Sequence, residues 1–450
     1  MRKFSFVLAI VMVMTLVLSA CAPEAEPEPT EEPTEEEVGA PFEGVEVTFW
    51  HPYSEGPGEA MQGLIDEFNA SNEYGIIVEG LNQGTHSDVE DKINAGIQSG
   101  DLPNVAIAYT NSLSDWYTVG SVVDLNPYIQ DEEYGLTQEE LEDLYPHLRE
   151  IGTTPDGAWV AYPITQSANV LVYNFTWAQE LGFDSAPATS AELREQLCAA
   201  AAANDETGGD FAGTGGMVYF PSTANWLNFV YAFGGDELND EGTAYDFNSQ
   251  AAIDATMFIN GMKEDGCVWE VDGYPNPEQG QRKALVTLSS TAGLYYYEVA
   301  FEDAENDDEW GFIAAPGPDG NLAVDAYQQM LGVFASTEDE QMASWLFIKW
   351  LTSPEIQARW VQGADGYYGT QYTTEALLAE FGEENPVWAT GVELAALGPA
   401  EPQTFPAWSA VRSAVGDAAA QLYSAADEAE ISAILDELTT TANELVEEVQ

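Results

Sequence analysis

Basic residues are scarce. The 450-residue chain has 11 lysines and arginines against 78 aspartates and glutamates, a formal net charge of −67. A chain this negative repels nucleic acid and anionic lipid head groups, which argues against both as partners. The bland reading of so many spread charges is a solvated surface. Histidine is rarer still, with only His51, His86 and His147. No HxH, HExxH or CxxC pattern occurs, so the ligand spacing of a metal site is absent. Nucleophile motifs such as GxSxG and SxxK are missing. Gly56 to Gly58 lacks the Lys-Ser/Thr partner of a phosphate loop. With 78 carboxylates, the sequence spacing of any two carries no information about a glycosidase pair. These absences point away from an enzyme and from a metal or other cofactor, and His147 receives no role.

Long apolar runs are also absent, with one exception. Arg2 and Lys3 precede the apolar stretch Phe4 to Val17, and Leu18-Ser19-Ala20-Cys21 follows. This is the architecture of a secretory signal over residues 1–20, too short to span a membrane comfortably. The Cys after Leu-Ser-Ala resembles a bacterial lipobox, so Cys21 is expected to carry lipid as the mature N-terminus. Residues 22–43, "APEAEPEPTEEPTEEEVGAPFE", alternate Pro and Glu with no apolar face. They are expected to form an extended tether from Cys21, reaching roughly 25 Å as a coil. The expected location is extracytoplasmic, with the membrane touched only through the lipid. Cysteine is then down to Cys198 and Cys267. In an oxidising compartment, without metal spacing, two lone thiols are expected to pair.

Aromatics are plentiful: 12 Trp, 21 Tyr and 19 Phe. The roughly four hundred remaining residues exceed one core and suggest two lobes. In "TFWHPYSEGPGE" an alternating run, with Val45, Val47 and Phe49 on one face, ends on Trp50-His51 and turns into a helix. Met61, Leu64, Ile65 and Phe68 recur at helical spacing over 59–70. "YGIIVEGL" reads as a second strand. Ser87 and Glu90 suggest a capping box, and Val89, Ile93 and Ile97 the stripe of a second helix. "NVAIAY" is a third strand. The βαβαβ order implies a mostly parallel sheet with helices on both faces. Ligands in such sheets sit at the carboxyl ends of strands, where Trp50-His51 and Tyr109-Thr110 both fall. Further strands are expected at 159–174, in "KALVTLSSTAG" and in "WGFIAAP". Helices are expected at 190–203, 250–264 and 427–449.

Taken in order, "TFWH", "YPITQSANVLVYN", "ALVTLSS", "WLTSPEIQARW", "GYYGTQYT" and "PAWSAVRSAV" resemble the extracytoplasmic solute-binding proteins of ABC importers. The type is the family 1 sugar-binding one, nearest its glycerol-3-phosphate-binding branch, from about Val45 to the C-terminus. The resemblance implies an α/β, two-lobe periplasmic-binding-protein-like fold (type II) with the ligand cleft between the lobes. Crossings are placed near Ile164, Phe312 and Ser353. The N-terminal lobe is then 44–165 with 312–352, and the C-terminal lobe 166–311 with 353–450.

Carried over residue by residue, the cleft comprises Trp50, His51, His86 (where the family has Tyr), Thr110 (an acidic residue in the family) and Ser167. Ser289 and Ser290, Gln328 and Gln329 (paired glycines in the family), Tyr367 and Arg412 complete it. Tyr109 joins from its strand end, and Trp226 from "STANWLNF" as a further ring facing the cleft. The implied function is capture of a carbohydrate, a mono- or oligosaccharide, and delivery to an ABC permease by a monomeric protein without catalysis. Arg412 is the one clear cation among these positions, which favours a neutral sugar over glycerol 3-phosphate or a glycerophosphodiester, the alternative ligands. Ferric iron on the adjacent tyrosines and a surface adhesive role are minor alternatives.

Overall fold

The computed structural model describes residues 40–449 apart from 365, 396, 398–400 and 404. The expected signal, Cys21 and most of the tether lie outside the described residues. Among the described residues no helix is long and apolar enough to cross a membrane.

Strand and helix alternate at first as the periodicities require. β1 (Glu46–His51) buries Val47, Phe49 and His51 on one face. α1 (Glu55–Ser71) buries Met61, Leu64, Ile65 and Phe68, three and four residues apart. β2 (Ile77–Asn82), α2 (His86–Ser99), β3 (Val105–Ala108) and α3 (Thr110–Thr118) follow. β1 pairs in parallel with both β2 and β3. The capping box of α2 is not Ser87 with Glu90. Thr85 is the N-cap, its Oγ1 accepting from the Asp88 N–H at 3.2 Å while the Thr85 N–H donates to Asp88 Oδ2 at 2.7 Å. Both pairs fit the same short pattern, two residues apart, and the helix takes the earlier one.

The long β4 (Tyr162–Asn174) comes next. Then follow β5 (Gly215–Val218), β6 (Val268–Trp269), β7 (Ala284–Ser290), β8 (Trp310–Ile313), β9 (Ala315–Pro316), β10 (Leu322–Ala323) and β11 (Asp325–Val333). The main sheet runs β2-β1-β3-β11-β4-β7-β5-β6, with β8 also on β4, while β9 and β10 pair separately. β11 is antiparallel to β3 and to β4, and β4 is antiparallel to β7 and β8. At the far end β5 is parallel to β6 and β7. β4 and β11 therefore stitch two parallel halves into one sheet.

Separate apolar cores lie against these halves. One packs α1 and β1 with the helices Glu338–Leu351 and Pro354–Ala364. Another packs β5 and β7 with Ser190–Thr207, Thr223–Ala232, Gln250–Glu264, Trp408–Leu422 and Glu428–Val449. A smaller one joins α2, α3 and β3. Cys198, on the Ser190–Thr207 helix, is bonded to Cys267. Gly266 before it has φ of 73°, the left-handed turn that ends the Gln250–Glu264 helix.

The chain does not leave the first core at Ser353. Trp360 lies 4.5 Å from the Tyr53 ring, and Arg359 pairs with Glu67 of α1 at 2.6 Å. Pro354 opens the next helix, a position where its missing N–H costs nothing. It ends one helix without carrying the chain across.

Candidate ligand-binding site

The site is built on β4 and β11. Their register sets Thr165 opposite Gln329, Ser167 opposite Tyr327 and Asn169 opposite Asp325. Side chains alternate along a strand, so these six share one face while Gln166 and Gln328 share the other. The ends of β1 and β3 and the start of α2 face the first set.

Gln329 is the junction. Its Oε1 accepts from the Tyr53 hydroxyl at 2.6 Å and from Thr165 Oγ1 at 3.3 Å. Its Nε2 donates to the Tyr367 hydroxyl at 3.2 Å and lies 3.1 Å from His86 Nε2. An amide nitrogen has only donors, so His86 Nε2 is the acceptor and its proton sits on Nδ1. Burial pushes the His86 pKa down to about 4, which keeps the imidazole neutral and able to accept. Tyr109, the residue before α3, sets its ring 5.3 Å from His86 and 6.5 Å from Tyr327. Burial raises the pKa of both tyrosines, so each keeps its hydroxyl proton.

Arg412 enters from the Trp408–Leu422 helix. Its Nε donates to Glu401 Oε2 at 2.6 Å, and Trp408 Nε1 donates to the same oxygen at 3.1 Å. Burial opposes the guanidinium charge, but Glu401 holds it protonated, and its field reaches Tyr327 and Tyr109. Thr110, first in α3, is buried, and its Oγ1 has no hydrogen-bond partner among the described residues. His51 is buried, stacked on Tyr53 at 5.7 Å, and burial lowers its pKa to about 4. Ser289 and Ser290 end β7, half-exposed, with Ser290 opposite Asn169.

Three expected residues stand elsewhere. Trp50 points away from its neighbour His51 and packs against the α2–α3 core. Gln328 faces away from Gln329, accepts from Gln403 Nε2 at 3.3 Å, and lines a cavity of about 680 Å³ with Tyr145, His147, Tyr368 and Ser167. Trp226 is buried in the second core, its Nε1 donating to Thr256 Oγ1 at 3.0 Å. The Thr223–Ala232 helix turns Asn225 and Asn228 to the strands, and residue 226 stands about 200° round from residue 228. The adjacent tyrosines divide likewise. Tyr367 meets Gln329, while Tyr368 lies against Trp388, so the pair does not converge as iron ligands would.

Tyr53, Thr165, Tyr327, Asn169 and Asp325 are members that sequence reasoning missed. The signal was available for most of them, since each stands two residues from an expected one (Tyr53 from His51, Thr165 and Asn169 from Ser167, Tyr327 from Gln329).

A model of the family described as bacterial extracellular solute-binding protein matches residues 63–390. The erythritol/L-threitol-binding protein of Mycolicibacterium smegmatis is 22% identical over 331 residues, 70% of this chain and 67% of that protein. The solved cyclic alpha-maltosyl-1,6-maltose binding protein from Arthrobacter globiformis has a TM-score of 0.71 at 23% identity, covering 90% of this chain and 99% of its own. UgpB from Mycobacterium tuberculosis, solved with glycerophosphocholine, has a TM-score of 0.73 at 17% identity, over 89% of this chain and 98% of its own. These structures share the two-lobe α/β binding-protein fold. With the family match running from α1 through most of the first core's helices, the chain belongs to the bacterial extracellular solute-binding proteins.

Proposed function

We propose that the protein captures a neutral mono- or oligosaccharide or polyol between two lobes and passes it unchanged to an ABC permease. The observation that carries this is the makeup of the Gln329 face. Neutral hydrogen-bonding groups (Gln329, Thr165, Ser167, Asn169) are framed by the rings of His86, Tyr109, Tyr327 and Tyr367. The one cation there, Arg412, is already engaged by a buried carboxylate. Aromatic faces suit the C–H face of a sugar ring, and amides and hydroxyls suit its hydroxyls. The names of the M. smegmatis and A. globiformis proteins point to neutral polyhydroxylated ligands. A glycerophosphodiester is the second reading, favoured by the presence of Arg412 and by the mycobacterial complex.

The lobes proposed are built on the two large cores, with Pro354–Ala364 in the first rather than the second. Closing them desolvates the ligand's hydrogen bonds and lets the permease distinguish loaded from empty protein. No bond is made or broken. The protein works as a monomer outside the cell membrane, held to it by lipid on Cys21. Calorimetry of residues 44–450 against sugars, polyols and glycerophosphodiesters tests the reading. Micromolar binding of a neutral sugar or polyol is expected. Binding of glycerophosphocholine alone, or hydrolysis of a glycoside, sinks it.

A further inference from the structure

Buried polar side-chain atoms without a hydrogen-bond partner are few in folded proteins, and each asks for a reason. Several meet where β11 begins. Asp325 and Asn228 are both 0% exposed. Among the described residues, neither carboxylate oxygen of Asp325 meets a donor in good hydrogen-bond geometry, although the Tyr327 hydroxyl lies near enough to favour its charged form, and neither Asn228 Nδ2 nor Oε1 of the neighbouring Glu401 has a partner. The orientation of Asn228 is set, because its Oδ1 accepts the Asp325 backbone N–H at 3.1 Å. Its Nδ2 is therefore a committed donor beside uncommitted acceptors. Asp325 also heads a polar row across three strands: it pairs with Asn169, and Asn169 pairs with Ser290. This row lies on the face that carries Tyr327 and Gln329.

We propose that Asp325 and Asn228 together recognise a hydroxyl of the bound sugar or polyol and form a specificity-determining pair at the floor of the cleft. A hydroxyl both donates and accepts, so it satisfies an Asp325 oxygen and Asn228 Nδ2 at once. Asp325's second oxygen is placed to accept from an adjacent hydroxyl, which makes a vicinal diol the matching group. An ammonium only donates and leaves Asn228 unmatched. A phosphate or carboxylate only accepts and meets Asp325 and Glu401 with like charge. The charged groups around Asp325 are Glu401, Glu237 and Arg412. Burial first, and then Glu401, raise the Asp325 pKa well above the usual carboxylate range, while Arg412 and the nearby Tyr327 hydroxyl lower it. A polyol suits the carboxyl in either protonation state. Both side chains are fully buried in this structure, so the pair is reached when the lobes part.

The inference rests on the sugar-binding reading, and one experiment separates the two. Erythritol, L-threitol, glucose and maltose are titrated calorimetrically into residues 44–450, and the tightest binder is repeated with its monodeoxy analogues. Asp325→Ala and Asn228→Ala are expected to weaken it about 10- to 100-fold. One deoxy analogue should bind wild type and both variants alike, within about twofold, because its missing hydroxyl is the one they read. Asp325→Asn, which keeps the shape and one acceptor, gives an intermediate loss and replaces Asp325→Ala if that variant does not fold. Variants that bind like wild type, or that lose the parent and every deoxy analogue equally, overturn the pair and leave the sugar reading standing. Wild-type protein that binds none of the four overturns both.

Discussion

Replacing Gln329 with Ala removes the junction of the site. Four side chains then lose a partner: Tyr53, Thr165, Tyr367 and His86. Tyr53, Thr165 and Tyr367 are buried, so water cannot freely take the amide's place. A net hydrogen bond contributes about 1 kcal/mol, and a buried group left unpaired costs about 1–3 kcal/mol. The Tyr53 contact at 2.6 Å is the strongest, while those at 3.2 and 3.3 Å are weaker. The four partners meet on one amide oxygen and one amide nitrogen, so their losses are coupled, and the expected destabilisation is about 3 kcal/mol. Urea unfolding followed by circular dichroism at pH 7.5 measures it, and ligand affinity should fall at least about tenfold. Gln329→Glu is the informative companion. It keeps the acceptors, removes the donors, and places a carboxylate beside His86, which raises that histidine's pKa. A histidine whose folded pKa rises above its unfolded value adds stability below that unfolded value and loses it as pH rises through the folded one. The Glu variant should therefore gain on wild type as pH falls toward 6. A Gln329→Ala protein within about 0.5 kcal/mol of wild type refutes the reasoning.

Other outcomes follow from neighbouring contacts. His51 has its pKa lowered from 6.5 to about 4 by burial, so its contribution is whole above 6.5 and is lost as pH falls toward 4. That loss amounts to about 3 kcal/mol, and His51→Gln should flatten the stability–pH curve in this window, whereas an unchanged slope would show that His51 does not titrate there. Reducing the Cys198–Cys267 bond, which spans 69 residues, should lower stability by about 4 kcal/mol at most and leave affinity nearly unchanged; equal melting of oxidised and reduced protein would contradict this. Trp226→Phe should cost about 1–2 kcal/mol through the lost bond to Thr256 while affinity stays within about twofold, and a tenfold loss of affinity would return Trp226 to the site.

Hydrophobic period made much of the scaffold legible. The spacing of Met61, Leu64, Ile65 and Phe68, and the alternation through Val47 and Phe49, yield the opening βαβαβ without tertiary information. Tyr109, at the end of β3, was likewise readable from order along the chain, while His86 at the start of α2 and Gln329 within β11 came from the family resemblance. What was not legible depends on which way a side chain turns. Trp50 and His51 are adjacent, as are Gln328 and Gln329, and a strand sends neighbours to opposite faces, so a motif of two cannot contribute both. Trp226 turns to the second core for the same reason, on a helix. Asp325 was hidden for a different reason. It is one acid among 78, and only the pairing of β11 with β4 and the docking of Asn228 set it apart. The crossing near Ser353 came from the family resemblance, but the helix that Pro354 opens packs on the first core through Trp360 and Arg359.

A crystal structure of residues 44–450 with the tightest-binding sugar or polyol tests the central claim most directly. The expected density lies on the Gln329 face of β4 and β11, within hydrogen-bonding distance of Gln329 or Asp325 and against the rings of Tyr109 or Tyr367, with the solute chemically intact. Density confined to the opposite face, against Gln328 and Tyr145 and out of reach of Gln329 and Asp325, or density for a cleaved product, would contradict it.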